Sequence, residues 1–357
     1  MVIRFGCDIT TYGDVDKTIK YAILAEKCGF HAVTLPDHIF NPLTRGIFQE
    51  PPWEVFALLA AIGARTHRVM LMPAVVDPVR RHPAVIAHTI ATLDHITKGR
   101  VALGMGCGEA FNVMPLKDIA WDRPFTRLKE AITLIKKLWG STFENPVTFF
   151  GEYFKVEKAF LSFKPLQKPH PPIYIGGFGP RIRRLVGQLA DGWLPWIYSP
   201  ETYRKDLKEI EDAAKQAGRS MDEIDTGVQI HTVVLKDGDE ARRIVTPRNL
   251  AALALRSSLL RDMGYPELAE KALSVWKLSF SEEELKRQSE LINSIPPEVN
   301  EKTVIAGTPD EAIGQIEKFI QAGVKFLDVM PIIEKFEETV QAYKEKIIPY
   351  FIEQYNK

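Results

Sequence analysis

Cysteine is scarce in this chain: three in 357 residues. An odd number does not suggest a disulfide framework, and Cys7, Cys28 and Cys107 match no metal-ligand spacing, so no metal site is expected. Charge of one sign is also lacking. Lys and Arg number 46 against 46 Asp and Glu, a formal net charge of zero, which speaks against nucleic acid and membrane surfaces as partners. No apolar run approaches the roughly 20 residues of a membrane-spanning helix. Met1 to Asp8 enter an apolar segment with no basic region or cleavage site, and a soluble cytoplasmic protein is expected. There is no P-loop, no Gly-x-Ser-x-Gly elbow, no Rossmann fingerprint and no low-complexity segment.

What the chain has instead is an ordinary globular composition, 45% hydrophobic and 26% charged, and a repeated alternation of short apolar runs with amphipathic segments. Strands are expected at 3–9, 32–35, 69–76 and 101–105, and helices at 16–28, 52–62, 83–96 and about 123–138. Gly29 closes the first of these helices and Pro83 opens the third. The alternation breaks at 140–172, where two apolar-rich runs flank a Gly-Glu turn and read as a hairpin. It resumes with strands at 173–176, 193–197 and 227–235 and helices at 181–190 and 201–216. Residues 239 to about 291 are helical in character, with little strand. Thr308-Pro309-Asp310-Glu311 opens a helix as a capping box with Pro at its first position. Gly323 ends that helix, a last strand spans 326–330 and a last helix 336–355. Close to eight strand–helix units favour a closed (β/α)8 TIM barrel over an open doubly wound sheet. The expected organisation is a single α/β domain over 1–357 with insertions near 140–172 and 239–300, assembling as a homodimer or higher homo-oligomer.

The stretch from Arg100 to Asn112 carries the densest signal. Val101 to Met105 is an apolar run of strand length, and Gly104, Gly106 and Gly108 fall at alternate positions. Side chains alternate across a strand, so one face is bared and something flat could lie against it. Glu109 follows where the strand ends, the end at which parallel α/β folds bind ligands. The plainer reading is that the glycines ease packing and Glu109 is a solvated loop acid. Asp37 and His38 end the second strand at the same rim, and an imidazole beside a carboxylate suits proton transfer near neutral pH. A lone histidine is more often a structural hydrogen-bonding group. Gly176-Gly177-Phe178-Gly179-Pro180 lies between a strand and a helix, where converging N–H groups and the helix start suit a phosphate. Arg181, Arg183 and Arg184 follow at once, either to meet negative groups or to line a wet helix face.

These motifs resemble the bacterial luciferase-like superfamily of barrel flavin and deazaflavin enzymes. The chain is most similar to its deazaflavin-dependent branch, which includes methylenetetrahydromethanopterin reductases and coenzyme F420-dependent sugar-phosphate and alcohol dehydrogenases. The matching stretches are Leu24 to Phe30, Asp37-His38, Ala74 to Ala87, Ala91 to Asp94 with Gly99-Arg100, Gly106 to Asn112, Pro172 to Pro180, Ala190 to Gly192 and Gly307 to Glu311. The resemblance implies a hydride transfer between coenzyme F420 and a small-molecule substrate, with His38 and Glu109 beside the cofactor ring and Asp37 and Asn112 as polar cofactor contacts. It places a non-proline cis peptide at Ala74–Val75 behind the ring, makes Gly108 a further cofactor contact, and puts a phosphate at Gly176, Gly177, Phe178, Gly179 and Pro180, with Arg181 beside it. His38, with an ordinary pKa of about 6.5, is the expected base in the oxidation direction and Glu109 a support for the ring or a proton relay. Asp8 stands where the reductases carry a first-strand glutamate, which makes it a third catalytic candidate. Two stretches depart from the sugar-phosphate enzymes. Asn41-Pro42-Leu43 replace a tryptophan, and Trp196 to Ser199 supply no lysine for a phosphate clamp. An FMN-dependent monooxygenase is the alternative within the superfamily, and a cofactor-binding barrel without catalysis the plainest one.

Overall fold

The computed structural model describes residues 2–9, 14–40, 53–274 and 281–355. The helix expected from Pro52 begins in the description at Val55, and Asn41 to Leu43 lie outside the described residues. In chain order the first half runs β1 (Arg4–Asp8), α1 (Val15–Lys27), β2 (Ala32–Leu35), α2 (Val55–Gly63), β3 (Met70–Pro73), α3 (Pro83–Thr97), β4 (Leu103–Met105), α4 (Ala110–Val113) and α5 (Pro124–Gly140). An antiparallel hairpin, β5 (Val147–Phe150) with β6 (Lys155–Ala159), precedes β7 (Ile173–Ile175), α6 (Pro180–Leu189), β8 (Gly192–Trp193), α7 (Pro200–Gln216) and β9 (Asp225–Val234). Five helices follow: α8 (Gly238–Leu253), α9 (Ser257–Asp262), α10 (Pro266–Lys271), α11 (Glu282–Ile292) and α12 (Pro297–Glu301). The chain closes with β10 (Ile305–Gly307), α13 (Pro309–Gln321), β11 (Phe326–Pro331), α14 (Phe336–Ala342) and α15 (Ile348–Tyr355).

Eight of these strands form a parallel ring in the order β3-β2-β1-β11-β9-β8-β7-β4. Parallel bridges at Leu71–Val101 and Val76–Met105 join β3 to β4, with Leu71 N–H to Arg100 C=O at 2.8 Å and Val76 N–H to Gly104 C=O at 3.0 Å. The main core lies between the strands and the surrounding helices. A smaller apolar cluster of Ala32, Met72, Ala102, Tyr174, Leu194 and Phe326 comes from six different strand regions and fills the ring's interior.

Local chemistry explains the element ends. Asp14 caps α1 by accepting from the N–H groups of Asp16 and Lys17, and Thr308 and Glu311 form the expected capping box of α13. Glu26, buried at the end of α1, accepts N–H bonds from His67, Arg68 and Val69 and so ties α1 to the entry of β3.

Five details differ from the sequence expectation. The strand foreseen at 69–76 stops at Pro73 and returns only as the bridge at Val76, with a cis bond at Ala74–Val75 between. The strand foreseen at 193–197 shortens to Gly192–Trp193, and β10 and α4 were not anticipated. The last helix is broken by a π turn at Tyr343–Ile347. Pro349 lacks an N–H and its ring crowds the carbonyl a turn earlier, so the wider turn accommodates it.

Candidate active site

The C-terminal ends of the ring strands surround a cavity of about 960 Å³. Every residue singled out above as catalytic or cofactor-binding lines it: Asp8, Asp37, His38, Ala74, Val75, Gly108, Glu109, Asn112, Gly176 to Pro180 and Arg181. Its size is that of a pocket for a cofactor-sized ligand.

One wall is a polar cluster. Asn112, 1% exposed, sits in α4 directly after Glu109. Its Oδ1 accepts from the N–H groups of Ile39 (3.0 Å) and Phe40 (3.3 Å). That fixes the amide orientation, so Nδ2 donates to His38 Nδ1 at 2.8 Å and to Glu109 Oε2 at 3.1 Å. His38 Nδ1 also lies 3.4 Å from Glu109 Oε2, and the imidazole stacks on Phe111 with ring centroids 5.6 Å apart. Burial raises the Glu109 carboxyl above the ordinary glutamate range, while His38 and Arg80 pull it back.

Beneath His38 lies a network that sequence reasoning missed. Asp37 accepts from Arg80 Nη2 (2.7 Å) and from Arg81 Nη1 and Nη2 (2.5 and 3.0 Å). Asp77 accepts from Arg80 Nε (2.5 Å) and from the N–H groups of Val79 and Arg80. Asp37 thus spends its carboxylate locking the 77–81 turn to the end of β2. Among the described residues Arg80 Nη1 is left buried and unpartnered in the cavity wall. The signal was present as two adjacent arginines shortly after an Asp-Pro pair, but nothing in their spacing pointed back to Asp37.

The alternate glycines turn out to serve a different purpose from the bare ligand face expected of them. A Cβ at Gly104 would run into the Pro73 carbonyl, at Gly106 into Val75 at 2.7 Å, and at Gly176 into Val75 at 3.1 Å. The three glycines, in and just after β4 and just after β7, make room for Val75, and it is Val75 that lines the cavity.

At the opposite end, Gly177 adopts φ +107 and Gly179 caps α6, whose first residue is Pro180. The carbonyls of Gly177 and Phe178 are tied back by Trp193 Nε1 (3.0 Å) and Arg183 Nη1 (2.5 Å). The N–H groups of Gly177, Phe178 and Gly179 enter no hydrogen bond among the described residues. Of the three arginines that follow, Arg183 is buried and bound to Asp206 and Glu209, so it is structural. Arg181 lies over the Phe125 ring at 4.0 Å and lines the cavity. Arg181 also borders a small adjoining hollow with Lys129 and Arg184.

Deep in the barrel, Asp8 and Asp328 share donors. Thr34 Oγ1 reaches Asp328 Oδ2 at 2.8 Å and Asp8 Oδ2 at 3.3 Å, and Gln229 Nε2 reaches the same oxygens at 3.0 and 3.5 Å. Burial and the neighbouring Asp8 push the Asp328 carboxyl well above its usual range.

Residues 1–325 match the family described as luciferase-like monooxygenase. An F420-dependent glucose-6-phosphate dehydrogenase of Microbacterium testaceum is 34% identical over 97% of both chains. A 5,10-methylenetetrahydromethanopterin reductase of Archaeoglobus fulgidus is 30% identical over 97% of this chain and 99% of its own. Among solved structures, an F420-dependent secondary alcohol dehydrogenase in complex with an F420-acetone adduct superposes with a TM-score of 0.80 at 26% identity, covering 98% of this chain and 99% of that one. The coenzyme F420-dependent tetrahydromethanopterin reductase of Methanopyrus kandleri gives the same TM-score at 25% identity, over 98% and 100%. On the family match and the length and identity of these likenesses, the chain belongs to the luciferase-like family.

Proposed function

We propose that the protein is a coenzyme F420-dependent oxidoreductase, moving a hydride between that deazaflavin and a small organic substrate. The observation that carries this reading is the meeting of His38, Glu109 and Asn112 on one wall of a cavity that ends in the unpaired N–H groups of Gly177 to Gly179. The residues present fit the cofactor. The N–H array and the start of α6 suit a phosphate, Val75 offers an apolar rest for a flat ring, and Arg80 Nη1 is a buried donor for a ring oxygen. Arg181, Lys129 and Arg184 continue the phosphate end with positive charge, which suits the carboxylates of the F420 tail. FMN, the alternative, ends at its phosphate and makes no use of that edge.

Bound there, the deazaflavin supplies the hydride acceptor or donor. The side chains of the cluster must handle the proton that leaves an alcohol as its carbon becomes a carbonyl. With the Asn112 amide on Nδ1, neutral His38 carries its proton on Nε2 and so acts as a hydrogen-bond donor from that nitrogen. Because the Asn112 amide takes up His38 Nδ1, Glu109, whose carboxyl burial raises, is the better placed base in place of the expected His38, which instead donates from Nε2. Asp8 is the third catalytic candidate, a carboxyl at the cavity floor that shares Thr34 and Gln229 with Asp328. Asp37 supports the cluster through Arg80 and Arg81 rather than by direct contact.

The reading extends to a homo-oligomer working in the cytoplasm. The three described cysteines are buried and unpaired, in keeping with a reducing compartment, and sizing by light scattering tests the assembly. Among the described residues no helix is long and apolar enough to cross a membrane. The functional test is F420 reduction by a panel of alcohols and sugar phosphates with His38→Ala and Glu109→Gln. Each variant is expected to lose about 100-fold or more in kcat with cofactor affinity kept. Turnover of both at the wild-type rate refutes the roles given.

A further inference from the structure

Beyond the His38 cluster, the cavity holds a second pair of polar groups with no assigned part. His231 is on β9, 1% exposed, and Trp196 follows β8. Both line the cavity, and among the described residues His231 Nε2 and Trp196 Nε1 are buried without a hydrogen-bond partner. Buried polar atoms without partners are rare in folded proteins, and each calls for a reason.

The protonation of His231 follows from its neighbours. Asn249 Nδ2 spends both hydrogens, on Asn300 Oδ1 at 3.0 Å and Thr303 Oγ1 at 2.9 Å. Asn249 Oδ1 is therefore the atom facing His231 Nδ1 at 3.1 Å, and it can only accept. His231 thus carries its proton on Nδ1, and Nε2 is a bare lone pair. Burial and the nearby Arg248 hold the ring neutral, with a pKa lowered to about 3. Trp196 Nε1–H, by contrast, can only donate. The two rings stand edge-on, with centroids 6.2 Å apart and planes at 83°.

A fixed acceptor beside a fixed donor calls for a group that both donates and accepts. A carbonyl could satisfy the indole but not the imidazole, and an ammonium the reverse. Arg248 at the same end disfavours a cation as well. A hydroxyl does both, donating through its hydrogen and accepting through a lone pair. We propose that Trp196 and His231 form a hydroxyl-binding subsite, so that the substrate carries a second, non-reacting hydroxyl donating to His231 Nε2 and accepting from Trp196 Nε1–H. This rests on the hydride-transfer reading above and narrows its substrate class to polyhydroxy compounds. A site built to bond a substrate hydroxyl discriminates strongly against the analogue that lacks it, because its own polar atoms are then left unpaired.

The test uses the full-length F420-loaded enzyme and three probes: 2-propanol, 1,2-propanediol and glucose 6-phosphate. F420 affinity is titrated first, so that failure of the cofactor reading is seen separately. Substrate binding is followed by perturbation of the bound cofactor's absorbance, which needs no turnover, and kcat and KM are measured wherever turnover occurs. The dihydroxy and sugar probes are expected to bind at least tenfold more tightly than 2-propanol. Trp196→Phe and His231→Phe are each expected to weaken those two probes about tenfold, through KM rather than kcat. F420 affinity and the response to 2-propanol stay within twofold. His231→Gln, which keeps an acceptor, is expected to recover part of the loss. Trp196→Phe carries the test if the histidine variant fails to fold, since it leaves the Asn249 network intact. No preference for the hydroxylated probes, no binding of any of them, or an equal loss on all three overturns the proposal.

Discussion

A single amide organises the chemistry of the cavity wall. Asn112 accepts from two backbone N–H groups and donates to both His38 and Glu109, so it holds the 38–40 turn, the imidazole tautomer and the carboxylate in one arrangement. Its bond to Glu109 lowers a carboxyl that burial raises. In Asn112→Leu that bond is lost and the Glu109 carboxyl rises further. Where ionised Glu109 is the base, the ascending limb of kcat/KM then moves to higher pH, and kcat falls about tenfold or more. An unmoved limb assigns the base elsewhere. His38 and Glu109 were legible in the sequence because both fall at the ends of predicted parallel strands. The tautomer was not, because it depends on an amide whose orientation is set by backbone donors of another loop. Arg80 and Arg81 escaped notice for a similar reason: their partner Asp37 is more than 40 residues away, with |i−j| of 43 and 44.

At the scale of elements, the cofactor end depends on where glycine is needed. Gly177 requires a positive φ, whereas Gly179 sits at φ −80 with nothing within 4 Å of an added Cβ. Gly179→Leu is therefore expected to fold with its Tm changed by no more than about 3 °C, yet to lose cofactor affinity about tenfold or more by filling the phosphate end. Equal affinity in that variant moves the anchor away from α6. Gly106→Ala makes the complementary case, since its methyl meets Val75 at 2.7 Å. It is expected to lower both stability and cofactor affinity by displacing the Val75 side chain, measured by thermal unfolding and titration. Seven of the ring strands, the hairpin and the α13 cap were readable from apolar runs, turn residues and the Thr308–Glu311 box, and β8 was foreseen only as a longer run at 193–197. The two-residue extent of β8 and the three-residue β10 were not readable, since runs so short carry no periodicity and owe their pairing to β9.

For the whole molecule, the ring and the cavity are one construction: strands that hold the helices outside also deliver Asp8, His38, Glu109, Gly177 and His231 to one space. We expect the chain to unfold as a single unit, with far-ultraviolet circular dichroism and tryptophan fluorescence giving coincident transitions. The interior also stores a pH dependence. Asp328 is 0% exposed beside Asp8 and Cys7, and its carboxyl is raised. The folded state therefore binds a proton that the unfolded chain releases above about pH 4. Stability from this site is full below that pH and falls as pH rises toward the folded pKa. Asp328→Asn removes the penalty, so its Tm advantage over the wild type is expected to grow from pH 5 to pH 8. A constant difference across that range means that Asp328 is ionised in the fold.

The central claim is the cofactor, and it is tested most directly by equilibrium titration of the purified protein with coenzyme F420 and, separately, with FMN. The account predicts that F420 binds at least about 100-fold more tightly than FMN, a difference of about 2.7 kcal/mol. It further predicts that Arg181→Ala together with Arg184→Ala narrows this gap by weakening F420 more than FMN. Tighter binding of FMN, or F420 affinity indifferent to both arginines, contradicts it.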